Sequence, residues 1–300
     1  MNPQFLMDGL IAGAIIGLGA VGVTLTYSIL RFANFAHGEL LSWGAYLALG
    51  VSSALGVLGA GMTTPLGPFS FGWSLPIAAL LAIALTGLLA LALDAALFSS
   101  FRRRGSAIII MVMASFGASL ALRSLLEFLF TSKPAYFSQA LQIAMKLGLG
   151  LRATPDQLAM LAVALISVVT VHLVMTRTDI GRAMRAVSEN AGLAGIAGID
   201  VRRVIRTAWF LGAALACIAG IMSGLIIQIR PYLGHDLLLP LFAAAILGGI
   251  GSVPGAMIAG LLIGLAEAFT VQLIGAEWRA AVSFAILIAV LLVRPRGLFG

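Results

Sequence analysis

Long apolar stretches separated by short polar segments run along the whole chain. A helix needs roughly 20 apolar residues to cross the hydrocarbon core of a bilayer, so stretches of that length bounded by charge, Pro or Gly predict membrane spans. The predicted spans are about 6–30, 38–58, 74–99, 106–130, 156–176, 207–229, 237–250, 254–273 and 279–294. The seventh is short for a full crossing, and a half-helix or re-entrant segment is the alternative there.

This pattern predicts an all-α polytopic membrane protein with about eight or nine transmembrane or half-membrane helices, forming a single domain over residues 1–300. Composition agrees, since 61% of the residues are hydrophobic, 10% are charged and the mean hydropathy is +1.10. A water-soluble domain usually has about 25% charged residues. The composition therefore excludes a soluble globular protein.

The net charge of +7 comes from arginines dispersed at the ends of the predicted spans. Because they are not gathered in a soluble basic domain, they argue against nucleic-acid binding. Cys217 is the only cysteine and lies in an apolar stretch, so no intrachain disulfide or cysteine-clustered metal site is expected. We predict a small packing residue there, and no cofactor.

Lysines and arginines are unequally divided between alternate loops. With the N-terminus outside, twelve of them fall inside, Arg296 included, and five fall outside, while Arg123 lies within a span. Since cytoplasmic loops carry the positive excess, the N-terminus is predicted to be periplasmic and the C-terminus cytoplasmic. The loop at about 131–155 is then periplasmic, where it would suit contact with an external partner. This parity requires the seventh segment to cross the membrane.

The first apolar run has no basic segment before it, so it does not resemble a cleaved signal peptide. We expect this first span to be retained.

A polar segment, Thr176–Arg206, lies between two long apolar spans and predicts two short helices. Asp179 is predicted to cap the first and Asp200 the second, with Gly195 and Gly198 interrupting between them. Helical spacing places an apolar stripe on one side of the first helix, formed by Ile180, Met184, Val187, Ala191 and Ala194. The other side carries Arg182, Arg185 and Glu189. The pattern is typical of a helix lying along a membrane surface.

Three interpretations of this segment stay open from the residues alone. It could be an ordinary cytoplasmic loop whose arginines only fix the topology. It could be an amphipathic helix bound to anionic lipid. It could also be a docking helix for a separate protein.

Polar residues at the junction of the first two spans form a second candidate site. If the helix opens there, Asn34, His37 and Glu39 could satisfy freed backbone groups or contact a polar cargo. The alternative is an interfacial turn in which these side chains act as caps. A lone His beside a Glu is too little to indicate a metal site.

Other charged residues lie within the predicted spans, where each is costly and calls for a partner. Arg123 and Glu127 stand four residues apart, which predicts an internal ion pair on one helix face. Asp94 and Glu267 lie near span ends, where we expect water or lipid headgroups to reach them. Their roles are left open.

The stretch 240–255 combines two prolines with several glycines and predicts a discontinuity near the membrane. Just after it, Gly260 and Gly264 form a GxxxG pair within an apolar helix, which predicts a packing face.

Catalytic motifs are absent from the sequence. There is no GxxxxGK[ST] phosphate loop, no G-x-S-x-G turn and no HExxH pair. The chain is therefore not expected to be an enzyme, and any ATP-driven work would need another subunit.

Four segments together carry a resemblance that runs nearly end to end. They are NFAHGE after the first span, TDIGRAMRA in the polar segment, AAAILGGIGSVPGAMIAGLLIGLAEA, and VSFAILIAVLLVRPRGLFG at the C-terminus. In combination they resemble the shorter permease subunit of bacterial branched-chain amino acid ABC importers.

The resemblance implies a heterodimeric pore with a longer sister permease in the bacterial inner membrane, two cytoplasmic ATPase subunits and a periplasmic solute-binding protein. It places the ATPase-coupling loop at about 177–206, and within it Gly181, Arg182, Arg185, Glu189 and Gly198. It also leaves Asn34 and His37 as candidates for the transport path.

Two alternatives to branched-chain amino acid import stay open. Related permeases carry urea or short amides, and the predicted pore shows no obvious fixed charge for the two ends of an amino acid. A self-sufficient ion-coupled transporter is the other alternative, with Glu39, Arg123, Glu127 or Glu267 in ion coupling.

Overall fold

The computed structural model describes residues 3–59, 61–138, 142–148, 150–294 and 297–299. Its helices are α1 (Gln4–Leu30), α2 (Ala36–Leu58), α3 (Ser74–Leu93), α4 (Ser99–Arg103), α5 (Ile108–Phe130), α6 (Pro155–Arg177), α7 (Asp179–Glu189), α8 (Ala191–Ile196), α9 (Val201–Ile226), α10 (Leu233–Gly248), α11 (Val253–Leu273) and α12 (Arg279–Val293). A π-helical turn, Asp94–Phe98, joins α3 to α4, and a 3-10 turn, Ala276–Trp278, precedes α12.

Among the described residues, eight helices are long and apolar enough to cross a membrane, with α3 and α4 counted as one continuous span. The seventh predicted segment forms the shorter helix α10. The all-α polytopic fold class predicted from the sequence is thus confirmed. An antiparallel pair of strands, β1 (Met145–Gly148) and β2 (Leu151–Ala153), was not predicted and lies in the loop before α6.

Helix α1 lies at the centre of the bundle, since 89% of an 18-residue apolar stretch within it is buried. The corresponding stretch that includes α12 is only 6% buried. It packs antiparallel to α11 through glycines on both helices. A Cβ atom on Gly260 would lie 2.3 Å from the Cα of Gly17, and one on Gly264 would lie 2.2 Å from the backbone nitrogen of Gly13. The predicted GxxxG packing face is confirmed, because only glycine lets the two backbones approach so closely.

The discontinuity predicted at 240–255 is confirmed between α10 and α11. Helix α10 ends at Gly248, and Gly249 and Gly251 follow with positive φ angles of 90° and 93°. Thr24 of α1 accepts a hydrogen bond from the backbone N–H of Gly251 at 2.7 Å, so the turn is held against the central helix.

Helix α10 begins deep within the bundle. After α9, residues 227–232 run inward: Ile229 pairs with Ala135 in an isolated β-bridge, and the carbonyl of Pro231 accepts a hydrogen bond from Ser42 of α2 at 3.1 Å. The helix then continues to the opposite face, where Leu298 donates to the carbonyl of Leu247 at 2.8 Å. Residues 227–232 and the short helix α10 together cross the bundle. The predicted alternation of loops between the two faces therefore continues past the seventh segment.

The beginning of α1 and the end of α12 consequently lie on opposite faces. The first lies beside the end of α11, where the rings of Phe5 and Phe269 are 5.8 Å apart. The chain beyond α12 returns to α10, and a Cβ atom on Gly297 would lie 2.5 Å from the carbonyl of Ile246. Arg296, which entered the charge count, lies outside the described residues.

Arg123 of α5 is paired with Glu39 of α2, so the predicted Arg123–Glu127 pair is wrong. Its Nη2 and Nε atoms donate to Oε1 of Glu39 at 2.7 and 3.2 Å, and Ser119 donates to the same oxygen at 3.0 Å. The guanidinium also lies 5.0 Å from the centre of the Tyr232 ring. Glu127 satisfies the helical spacing but is only half-buried, whereas Glu39 is 1% exposed and needs the counter-charge far more.

The expectation that Asp94 and Glu267 are reached by water or headgroups is also wrong. They are only 6% and 1% exposed, and both are paired. Arg102 donates to both carboxylate oxygens of Asp94, at 2.6 and 2.8 Å. Glu267 accepts from Nε of Arg279 at 2.7 Å and from the hydroxyl of Ser283. Both acids are enclosed by partners that come later in the chain: Arg102 covers Asp94, and Arg279 and Ser283 cover Glu267.

Replacing Gly264 with Leu should destabilise the bundle, because the side chain would separate α11 from α1. We expect a loss of about 1–3 kcal/mol in unfolding free energy, as for other overpacked cores. Heat unfolding of the detergent-solubilised protein measures it. Gly117→Leu is the matched control, since no atom of the described residues lies within 4 Å of a Cβ there. Equal effects of the two substitutions would contradict the packing described.

Replacing Glu39 with Gln should leave Arg123 buried without a counter-charge. Removing one partner of a buried pair costs about 3–5 kcal/mol, and the double variant Glu39→Gln/Arg123→Met should recover part of that loss. Chemical denaturation of the single and double variants measures the coupling free energy. Glu127→Gln is the control, and a larger coupling of Arg123 to Glu127 than to Glu39 would overturn this pairing.

Candidate functional site

The polar segment begins with a sharp turn between α6 and α7 at Thr178. The Thr178 hydroxyl donates to the carbonyl of Val174 and accepts from the backbone N–H of Gly181 at 3.2 Å, so it ends one helix and caps the next. The prediction that Asp179 is the cap is wrong. Thr178 has the extended backbone that an N-cap requires, and the Asp179 side chain is 94% exposed and pairs with Arg182 instead.

Helix α7 is held tightly against the last turn of α6. A Cβ atom on Gly181 would lie 2.3 Å from the carbonyl oxygen of Met175 and 2.4 Å from that of Val174, so only glycine fits there. The guanidinium of Arg185 donates to the carbonyl of Met175. Gly181 and Arg185 thus fix the angle at which α7 leaves α6.

The outer side of α7 carries the charges predicted for it, since Arg182, Arg185 and Glu189 are all exposed. On the inner side Met184, Val187 and Ala194 are buried and Ile180 is half-buried, but Ala191 is exposed. The stripe fails at Ala191 because the helix breaks one residue earlier, at Asn190.

Asn190 makes three helices where two were predicted. Its Oδ1 accepts from the backbone N–H groups of Gly192 and Leu193, both at 3.0 Å, and so begins α8. Gly198 connects α8 to α9 with a φ of 87°, a conformation that favours glycine. The predicted cap of the last helix is confirmed: Asp200 accepts from the N–H groups of Arg202 and Arg203 at 2.9 and 3.1 Å.

The far end of α7 is bound by Arg31, the residue that ends α1. Its Nη2 donates to the carbonyls of Ser188 and Glu189, both at 2.7 Å. These are among the last carbonyls of α7, which have no partner within the helix and favour a cation beside them. In the sequence Arg31 is one more basic residue at a span end, and nothing local indicates a partner so distant along the chain.

Beyond Arg31 the chain turns back into the bundle before α2 begins. The backbone N–H of Phe35 donates to Ser115 of α5 at 3.1 Å, and the ring of His37 lies against Gly22, about two turns before α1 ends. The predicted opening between the first two spans is therefore a real helix break inside the bundle. The break starts at the exposed Arg31 and ends at the buried Ala36, so it combines features of both alternatives.

Asn34 and His37 are enclosed at this break, with 4% and 1% of their surface exposed. Oδ1 of Asn34 accepts from the N–H of Ala36, the first residue of α2, at 3.2 Å. Within the described residues, Nδ2 of Asn34 makes no hydrogen bond, and the His37 ring makes none of good geometry, although the backbone of Gly19 lies within its reach. A buried polar atom without a partner costs about 1–3 kcal/mol, so such atoms are typical of functional sites.

The start of α2 touches the start of α10. A Cβ atom on Gly234 would lie 1.8 Å from the carbonyl oxygen of Gly38, and the N–H of Gly234 donates to Ser42 at 2.9 Å. The two broken segments enter from opposite faces, and α2 and α10 leave in opposite directions. Discontinuous helices that begin within the membrane form the substrate sites of many transporters. Asn34 and His37 lie beside this crossing.

Two groups of candidate residues are thus separated in space but connected. Gly181, Arg182, Arg185, Glu189 and Gly198 lie on the surface segment, and Asn34 and His37 lie in the buried break. Arg31 is bonded to the surface helix and continues directly into the break. Among the residues that the structure describes, no group of three or more His, Cys, Asp or Glu side chains is placed to hold a metal ion.

Comparisons with known proteins agree with this architecture. Residues 5–291 match the family described as "Branched-chain amino acid transport system / permease component". The high-affinity branched-chain amino acid transport system permease protein LivH of Escherichia coli K12 is 31% identical over 312 residues, covering 100% of this chain and 98% of that protein. The corresponding protein BraD of Pseudomonas aeruginosa is 32% identical, covering 99% and 95%.

A solved structure, PsaBC from Streptococcus pneumoniae in complex with Fab, shares the fold. It aligns with a TM-score of 0.51 and 15% identity, covering 98% of this chain and 93% of that chain. Since the family match spans nearly the whole sequence, this multi-pass membrane protein belongs to the family of permease components of branched-chain amino acid transport systems.

Proposed function

We propose that this chain is the permease subunit of an ABC importer that carries branched-chain amino acids, with α7 as the helix that docks a separate ATPase. The observation that carries the proposal is the continuous connection from the surface helix through Arg31 to the buried break. The names of the relatives support the cargo, since those described above are permeases for branched-chain amino acids.

The proposed assembly pairs this chain with a second permease subunit, two cytoplasmic ATPase subunits and a periplasmic solute-binding protein in the bacterial inner membrane. The sequence has no phosphate loop of its own, which supports ATP hydrolysis on another subunit. The excess of arginines on the α7 face supports a periplasmic N-terminus and a cytoplasmic C-terminus. The loop at about 131–155 would then face the solute-binding protein.

The proposed mechanism is alternating access driven from α7. Both ends of this helix are held, at Gly181 by the end of α6 and at Glu189 by Arg31, so a push on its exposed face moves it as a rigid body. Arg31 passes that movement to residues 32–35. The contact between α2 and α10 then shifts, and the path beside Asn34 and His37 opens to one side or the other.

The ion-coupled alternative is disfavoured by the ion pairs. Glu39, Arg123 and Glu267 are each buried and bound in an ion pair, so none of them is free to carry an ion. Glu127 is half-buried, and this partial burial of an acid is the only feature that favours a role for it in ion coupling. The urea or amide alternative lacks support from the relatives' names, which specify branched-chain amino acids.

Arg185→Glu should uncouple ATP hydrolysis from uptake, because it repels the carbonyl of Met175 and reverses a charge on the docking face. Gly198→Pro should do the same, because proline cannot adopt the positive φ of that position. We expect amino acid uptake into proteoliposomes to be nearly lost while the variants still insert and the ATPase subunits still hydrolyse ATP. Normal uptake in both variants would contradict the docking role.

Arg31→Gln should weaken the connection between α7 and the helix break. We expect uptake per ATP hydrolysed to fall roughly 5- to 150-fold, as for a lost coupling free energy of about 1–3 kcal/mol. Arg104→Gln is the matched control, because the Arg104 side chain is exposed and makes no ion pair among the described residues. Equal transport by the two variants would show that Arg31 transmits nothing.

A further inference from the structure

Helix α10 is shorter than the helices around it, with 16 residues against 27 in α1, 26 in α9 and 21 in α11. Residues 227–232 run inward without forming a helix, so among the described residues no helix fills the space between the start of α10 and the face where α1 begins. A cavity of about 870 Å³ lies in that space, bounded by α1, α9, α10, α11 and the start of α12. Ligand sites in proteins are usually about 300–1,000 Å³, so a small organic molecule fits.

The cavity combines an apolar wall with charges of both signs. Its apolar lining includes Ile11, Ile15, Leu237 and Pro240. Its charged lining consists of four acids and two arginines, with one histidine: Asp8, Asp236, Glu267, Glu277, Arg230, Arg279 and His235. Glu267 is paired with Arg279 and Arg230 with Asp236. A site with these three features suits a molecule that has an aliphatic part, an anion and a cation, which is the chemistry of an aliphatic amino acid zwitterion.

Arg279 presents a guanidinium whose geometry suits a carboxylate. Its Nε donates to the buried Glu267 at 2.7 Å, which fixes the plane of the guanidinium. The two terminal nitrogens make no hydrogen bond or ion pair with the described residues, although the side chain lines the cavity and is 44% exposed. A planar guanidinium with both terminal groups available matches a carboxylate bidentately.

Asp236 offers the opposite charge on the same cavity. Its Oδ2 accepts from Arg230 at 2.8 Å, and both side chains are 47% exposed. Its Oδ1 accepts no hydrogen bond from the described residues and is available to an ammonium group. Asp236 lies in the first turn of α10, two residues from Gly234, so this end of the cavity adjoins the crossing with α2.

We propose that the cavity is a binding site for the zwitterion of a branched aliphatic amino acid, with its carboxylate on Arg279, its ammonium on Asp236 and its side chain on the apolar wall. The site would receive the amino acid before it passes the contact between α2 and α10. The direction of passage and the choice of amino acid rest on the proposed function.

The test measures equilibrium binding of radiolabelled leucine to the assembled importer in nanodiscs, without the solute-binding protein. Arg279→Lys keeps a positive charge for Glu267 but removes the planar fork, and Asp236→Asn removes the negative charge. Each should weaken leucine binding roughly tenfold or more, because a charge-assisted contact is lost. Arg104→Lys is the matched control, since the Arg104 side chain is exposed and does not line this cavity. Asp236→Asn alters a half-exposed pair and serves if Arg279→Lys fails to assemble.

Two analogues assign the contacts. Leucine amide has no carboxylate, so Arg279→Lys should leave its binding unchanged, and 4-methylpentanoate has no amine, so Asp236→Asn should leave its binding unchanged. Equal weakening of all three ligands in both variants would overturn the proposal. So would the absence of leucine binding to the wild-type importer at millimolar leucine. A separate pull-down measures attachment of the solute-binding protein to the same variants. Weaker attachment with unchanged leucine binding would also overturn the proposal, because the cavity would then be a docking surface.

The outcome separates this site from the proposed function. If the wild-type importer takes up leucine under ATP but the variants bind it normally, the cavity site is wrong and the importer stands. If the wild-type importer takes up urea and not leucine, the proposed function is wrong.

Discussion

Backbone groups in a bilayer must find hydrogen-bond partners inside the protein, and this requirement governs the two helix breaks on which the structure depends. At the first break, Ser115 and Asn34 accept from the freed N–H groups of Phe35 and Ala36. At the second, Ile229 pairs with Ala135 and Gly234 donates to Ser42. Because these partners exist, helices α2 and α10 can begin within the bundle and meet there.

The contact between α2 and α10 positions both the candidate transport path, beside Asn34 and His37, and the cavity that adjoins it. Since α10 begins at mid-depth, the space between its start and one face stays open as a cavity, and the polar atoms of Asn34 and His37 lie beside the contact of the two helices. The surrounding bundle is stiffened by glycine packing between α1 and α11 and by buried ion pairs. Within this frame, the proposed movement of α7 would switch the contact between α2 and α10 between two states.

The sequence was sufficient for the architecture and for local motifs. Apolar length located every span, the cluster of Pro and Gly located the turn before α11, and Asp200 was correctly predicted as a helix cap. It was insufficient where two residues competed for the same role. Thr178 displaced Asp179 as a cap, and Glu39 displaced Glu127 as the partner of Arg123, because backbone conformation and burial decide such competitions and neither is visible in residue spacing. The contact of Arg31 with α7 had no local signal at all.

The central claim is that movement of α7 changes the access to the α1–α2 break. The most direct measurement is the reactivity of a cysteine at Asn34, with Cys217 replaced by Ala, in the assembled importer in proteoliposomes. The account predicts that a membrane-impermeant thiol reagent reaches this cysteine from one face without nucleotide and from the opposite face when ATP is trapped on the ATPase subunits. Reactivity that does not change with nucleotide would contradict it.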